Sequence, residues 1–146
     1  MSRTTLRKAH AAAGILAFLF ITAFWTSTLI SELFFSHQAV AAVKQAVVCA
    51  FAVFVPLMAL AGISGNKMGG KSQHPLVAAK RRRMPLIGAN GLLVLLPCAF
   101  YLNHLAQAGR FDAVFYGVQL LELAAGAANW SMMALNIRDG LKIRKR

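Results

Sequence analysis

Four long apolar stretches, at about 11 to 35, 39 to 63, 86 to 107 and 112 to 137, constrain this chain more than any other feature. Each reaches or exceeds the ~20 residues that a helix rising ~1.5 Å per residue needs to cross ~30 Å of hydrocarbon. In lipid every backbone N–H and C=O must be satisfied inside a helix or a closed barrel. None of the stretches alternates polar and apolar residues as barrel strands do. Composition agrees, since 58% of the 146 residues are hydrophobic and only 14% charged, against nearly half and a quarter in soluble domains. The expected fold is all-α: an integral membrane four-helix bundle in antiparallel up-down order. It forms one transmembrane domain over residues 1 to 146, with a basic loop at 64 to 85.

The net charge of +12, from 16 Lys and Arg against 4 Asp and Glu, would suggest nucleic acid in a soluble chain. The positions argue against that. Arg3, Arg7 and Lys8 precede the first span; Lys67, Lys71, Lys80, Arg81, Arg82 and Arg83 lie between spans two and three; Arg138, Lys142, Arg144, Lys145 and Arg146 follow the fourth. Only Lys44 and Arg110 fall toward the other side. The positive-inside rule then puts both termini in the cytoplasm of a multi-pass protein of a bacterial inner membrane. The basic rim is expected to attract anionic lipid headgroups, at about 1 kcal/mol per residue near the surface. Ala39-Val40-Ala41 imitates a signal-peptide cleavage site. The apolar run before it far exceeds an h-region, so the first span is expected to stay uncleaved.

Short turns centred near residue 38 and near 109 to 110 make consecutive spans antiparallel neighbours, so residues equidistant from a turn centre share a depth. This pairing predicts Glu32 opposite Lys44, Pro97 opposite Glu122, Asn90 opposite Asn129 and Asn103 opposite Tyr116. In the loop between spans two and three, Pro85 suits the first turn of span three. Leu76 to Arg83 reads as a flexible linker or a short interfacial helix.

Glu122 lies close to mid-membrane, where an ionised carboxylate costs roughly 2.5 to 3.5 kcal/mol. With no cation expected at its depth, it reads as a neutral acid donating to a backbone carbonyl freed by Pro97. It is either interhelical glue or a proton or ligand site. Glu32 and Lys44 read as an ion pair locking the first hairpin. Joined to His37 and His104 they would instead form an outward-facing polar pocket, which Trp25, Ser27, Thr28 and Ser31 extend inward. The histidines His10, His37, His74 and His104 form two depth-matched pairs, the arrangement a bis-histidine b-haem requires, and Met58, Met84, Met132 or Met133 can supply a thioether opposite His10. Against that stands ordinary solvation of interfacial imidazoles and core filling by methionine. Cys49 and Cys98 read as a buried pair of apolar thiols. Gly62-x-x-Gly65 and similar small-residue spacings permit close helix approach. No phosphate loop, zinc-protease motif or nucleophile elbow is present, which points away from soluble-type enzymology.

The strings SHQAVAAVKQ, MALAGISG, KRRRMPLIGANGLLVLLPCA, FYGVQLLELAAGAAN and ALNIRDG together resemble a group of small four-span inner-membrane proteins of proteobacteria that carry no assigned activity. The resemblance spans His37 to Gly140 and implies membrane location and four-span topology without transferring a functional residue. Three functions fit the residues: an accessory or structural membrane subunit, favoured by the packing motifs; a proton-coupled small-solute or ion transporter; and a b-haem electron-transfer protein. The first two imply a homo-oligomer or a larger membrane complex.

Overall fold

The computed structural model describes residues 2–144, the side chain of Arg144 excepted; Lys145 and Arg146 of the basic tail lie outside the described residues. Four helices account for almost all of it: α1 (Arg3–Phe34), α2 (His37–Gly69), α3 (Pro75–Gln107) and α4 (Ala113–Arg144). No strand occurs among the described residues. The ends are capped as side-chain chemistry requires: Ser2, Ser36 and Asp112 accept from the backbone N–H three residues on, and His74 accepts from that of Leu76.

Two short turns, Phe35–Ser36 and residues 108–112, define one end of the bundle, here the turn end. Residues 70–74 and the termini define the other, the loop end. The expected loop at 64 to 85 is therefore mostly helix: α2 runs on to Gly69 and α3 begins at Pro75. Pro75, not Pro85, occupies the first turn, and Leu76 to Arg83 continue directly into the apolar part of α3. Gly70, at φ 39, ends α2 in backbone that L side chains rarely adopt.

Around Gly91–Leu95, α3 opens into a π turn, where Leu96 N–H donates to Gly91 O. Pro97 explains it. Proline cannot donate to the carbonyl four residues back and its ring collides with that carbonyl, so the ladder widens by one residue just before it.

The helices form a four-sided ring in which α1 touches α2 and α4, and α3 touches α2 and α4, while no backbone contact joins α2 to α4 among the described residues. Two apolar clusters fill it. Near the turn end, Val40, Leu102, Leu105, Ala106 and Phe115 pack together; farther down, Ala17, Ile21, Ile87 and Met133 do, with Met58, Met84 and Met132 against them. Two indoles staple α1 to α4: Trp25 donates to Leu123 O at 2.9 Å and Trp130 to Thr22 Oγ1 at 2.9 Å. Asn90 and Asn129 meet at 2.9 Å as the pairing predicts. Asn103 does not reach Tyr116 and donates instead to Gln45 Oε1 at 3.0 Å.

The exterior carries large apolar side chains, Leu93 at 75% and Leu120 at 69% exposed among them. Patches of that extent are a liability in water and the normal covering in lipid. Helices α1, α2 and α3 are long and apolar enough to cross a membrane, so this is a membrane protein. Helix α4 is as long as α1 but does not reach that hydropathy. The deficit sits on its inner face, where Gln119, Asn129, Asn136 and Asp139 are buried and Glu122 nearly so.

Candidate functional site

At the centre of the ring, Lys44 Nζ donates to Glu122 Oε2 at 2.8 Å, and Gln119 Nε2 donates to the same oxygen at 2.8 Å. Lys44 is 2% and Glu122 14% exposed. The two backbones lie on opposite sides of the ring, so the long lysine side chain crosses the diagonal. Glu122 is thus held by a cation, not by a carbonyl near Pro97. Lys44 is paired with Glu122, not with Glu32.

The position of the first turn contributes to both differences. The first turn lies at Phe35–Ser36, about two residues earlier than expected. That shift puts Lys44 level with Ser27 and Thr28, and Glu32 about five residues, ~7 Å, nearer the turn end. The second turn falls where expected, which is why Asn90 and Asn129 do meet. Lys44 lies seven residues into α2 and Glu122 nine into α4, parallel helices on which that offset is only about 3 Å.

Glu32 nevertheless belongs to the site. Its Oε1 is buried without a hydrogen-bond partner among the described residues, as is Gln119 Oε1. Lys44, Glu122 and His37 lie close enough to act on Glu32 electrostatically, and Cys98 on α3 lies close enough to Glu122 and Lys44 to feel both. Two carboxyls, one paired and one half-buried, therefore lie near one ammonium. Beside Glu122 a cavity of about 60 Å³ opens between Phe24, Trp25, Phe51, Phe54, Thr28 and Leu95. Trp25 and Thr28 therefore line the site as expected. Ser27 and Ser31 instead return their hydroxyls to Phe24 O and Thr28 O.

His37 and His104 are exposed and outside the buried cluster. His37 stacks on Phe111 at 4.0 Å, in the wall of an open cleft of about 340 Å³ with Gln38 and Gln107. His74 Nδ1 caps its own helix, and His10 Nδ1 donates to Ala61 O at 3.0 Å beside Ser64 Oγ at 3.1 Å. The four methionines are core filling, with Met84 Sδ accepting from Asn136. Cys49 is exposed while Cys98 is buried, so they are not a buried pair.

Gly65 makes room for the His10 ring, since a Cβ there would lie 2.9 Å from Cε1. Gly65→Ala should therefore lower the melting temperature through roughly 1 kcal/mol of net overpacking. In a His10→Ala background the same change should be neutral or stabilising, because alanine is the better helix former.

A second ionic site closes the loop end and was not singled out in the sequence. Asp139, 1% exposed, accepts from Arg83 at 2.6 Å and from Arg138 at 3.1 Å. The Arg83 hydrogen bond, then that of Arg138, holds its carboxyl below the ordinary carboxylate range despite burial. An acid within a run of cations was the available signal.

Comparison of the chain with protein-family models, with curated proteins and with solved structures finds no match.

Proposed function

We propose that this is a four-span protein of the bacterial inner membrane, both termini cytoplasmic, that takes up and releases a proton at the Glu32, Lys44 and Glu122 site as a proton-coupled carrier of small solutes or ions. One observation carries the reading: Lys44 is bonded to Glu122, while the nearby Glu32 keeps Oε1 buried without a hydrogen-bond partner among the described residues. Hydrocarbon penalises an uncompensated charge, so a single added proton neutralises the group. His37 at the surface, Glu32 and then the central pair lie in that order from the turn end inward.

The topology rests on the inward-facing polar stripe of α4, whose outer face presents Val114, Leu120, Leu121 and Trp130. The excess of Lys and Arg at the loop end supports cytoplasmic termini and contact with anionic headgroups. The resemblance to four-span proteobacterial proteins implies an inner-membrane location.

Reconstitution in vesicles loaded with a pH-sensitive dye tests the function. Under an imposed potential, proton entry should exceed that of protein-free vesicles and fall to their level in Glu32→Gln. Equal entry with and without the protein sinks the proposal. A second reading, an accessory subunit of a larger complex, is favoured by the open cleft between the two turns, and would show as a partner co-purifying in mild detergent.

A further inference from the structure

We infer that the cavity beside Glu122 binds a small monovalent ammonium-type cation, of the size of ammonium or methylammonium, in competition with the proton. The inference rests on the charge imbalance proposed above and adds the identity of what answers it.

Shape and chemistry select the ligand class. The cavity is about 60 Å³, several times the ~10 to 15 Å³ of such space that holds one water, so a cation of one or two heavy atoms fits. Methylammonium has two heavy atoms. Four aromatic rings stand in the wall, Phe24, Trp25, Phe51 and Phe54, with Glu122 as the single charged group among them. An aromatic wall and one carboxylate favour a weakly hydrated cation over an anion or a neutral polar solute. Anions meet no donor pair there, and the wall gives a strongly hydrated divalent ion only one carboxylate.

The hydrogen bonds leave a place for it. Both donors on Glu122, from Lys44 and Gln119, go to Oε2, so Oε1 stays open to a third. A cation there need not displace Lys44. With Glu32 and Glu122 ionised and Lys44 charged, one bound monovalent cation brings the interior to neutrality, as one proton does. Occupancy by cation and by proton is then mutually exclusive. The groups that face Glu122 are Lys44 from α2, Glu32 from α1, Cys98 from α3 and Gln119 from its own helix.

Trp25 is a built-in reporter. Its ring lies against Gly126, where a Cβ would approach Cδ1 to 3.0 Å, and its indole N–H is fixed to Leu123 O. The chain has two tryptophans, so full-length Trp130→Phe in detergent leaves Trp25 alone. Methylammonium chloride, titrated against sodium chloride at constant ionic strength, should change Trp25 emission saturably. On the acid side its apparent affinity should weaken about tenfold per pH unit, as competition with one proton requires. Tetraethylammonium, too large for the space, should give no saturable change. Glu122→Gln should abolish the response. Ala99→Leu, which fills the same cavity without altering charge, should abolish it too and serves if Glu122→Gln does not fold. No saturable response beyond sodium chloride overturns the inference, as does a response that survives both substitutions. Should proton entry into vesicles persist without methylammonium binding, only this inference falls.

Discussion

Lys44→Met should cost the bundle roughly 3 to 5 kcal/mol, the usual penalty for leaving one member of a buried ion pair alone. The size follows from the geometry. Glu122 would keep only the Gln119 amide as donor, inside a ring whose neighbouring oxygens, Glu32 Oε1 and Gln119 Oε1, are already buried and unpartnered among the described residues. Lys44→Met combined with Glu122→Leu should recover most of the loss, because a well-packed apolar pair of similar volume often replaces a buried ion pair at little cost. Denaturation by increasing dodecyl sulfate in mixed micelles, followed by helical signal, measures both. If the single substitution is no worse than the double, the two side chains do not share a desolvated site.

Arg83→Ala should cost less, about 2 kcal/mol, as expected for losing a charge-assisted hydrogen bond when a second partner remains. Arg138 stays on Asp139 but is 55% exposed, where solvent weakens the attraction. This variant should also change the acid limb of stability. Asp139 is held below the ordinary carboxylate range by Arg83, so the folded chain binds its proton more weakly than the unfolded chain does. The resulting stabilisation is complete above the unfolded value of about 3.9 and is lost as pH falls through the lower folded value. Removing Arg83 raises the folded value toward the unfolded one. Melting temperature between neutral pH and about pH 3 should therefore fall less in Arg83→Ala than in the parent chain. An equal acid dependence would show that the pair is not carrying Asp139.

The lengths of the apolar stretches made the all-helical fold legible, because period and span length are one-dimensional properties of the chain. Asn90 meeting Asn129 was legible for the same reason, since the second turn sits where Gly109 and Arg110 suggest. The central ion pair was not. A hairpin argument compares neighbours, whereas Lys44 and Glu122 sit on helices that do not touch and meet only because one side chain is long enough to cross the ring. The turn at Phe35–Ser36 compounded the error by about two residues, sufficient to move Glu32 and Lys44 more than a helical turn apart in depth. The loop end failed differently. Leu76 to Arg83 are too polar to read as part of a spanning helix, yet His74 caps and Pro75 starts a helix that runs unbroken into the membrane-length segment. The π turn before Pro97 and the burial of Asp139 depend on packing partners from other helices, which spacing along one segment does not reveal.

Infrared spectroscopy of the carboxyl stretch tests most directly whether Glu32 and Glu122, beside the single Lys44 ammonium, hold one proton between them. The chain has only four Asp and Glu, and Asp112 and Asp139 are salt-bridged to arginine. At neutral pH, in the absence of ammonium-type cations, the parent chain should show one protonated carboxyl. Glu32→Gln and Glu122→Gln should each show none, because Lys44 then serves the remaining acid, and Lys44→Met should show two. No protonated carboxyl in the parent chain, or one that persists in both glutamine variants, would contradict the account.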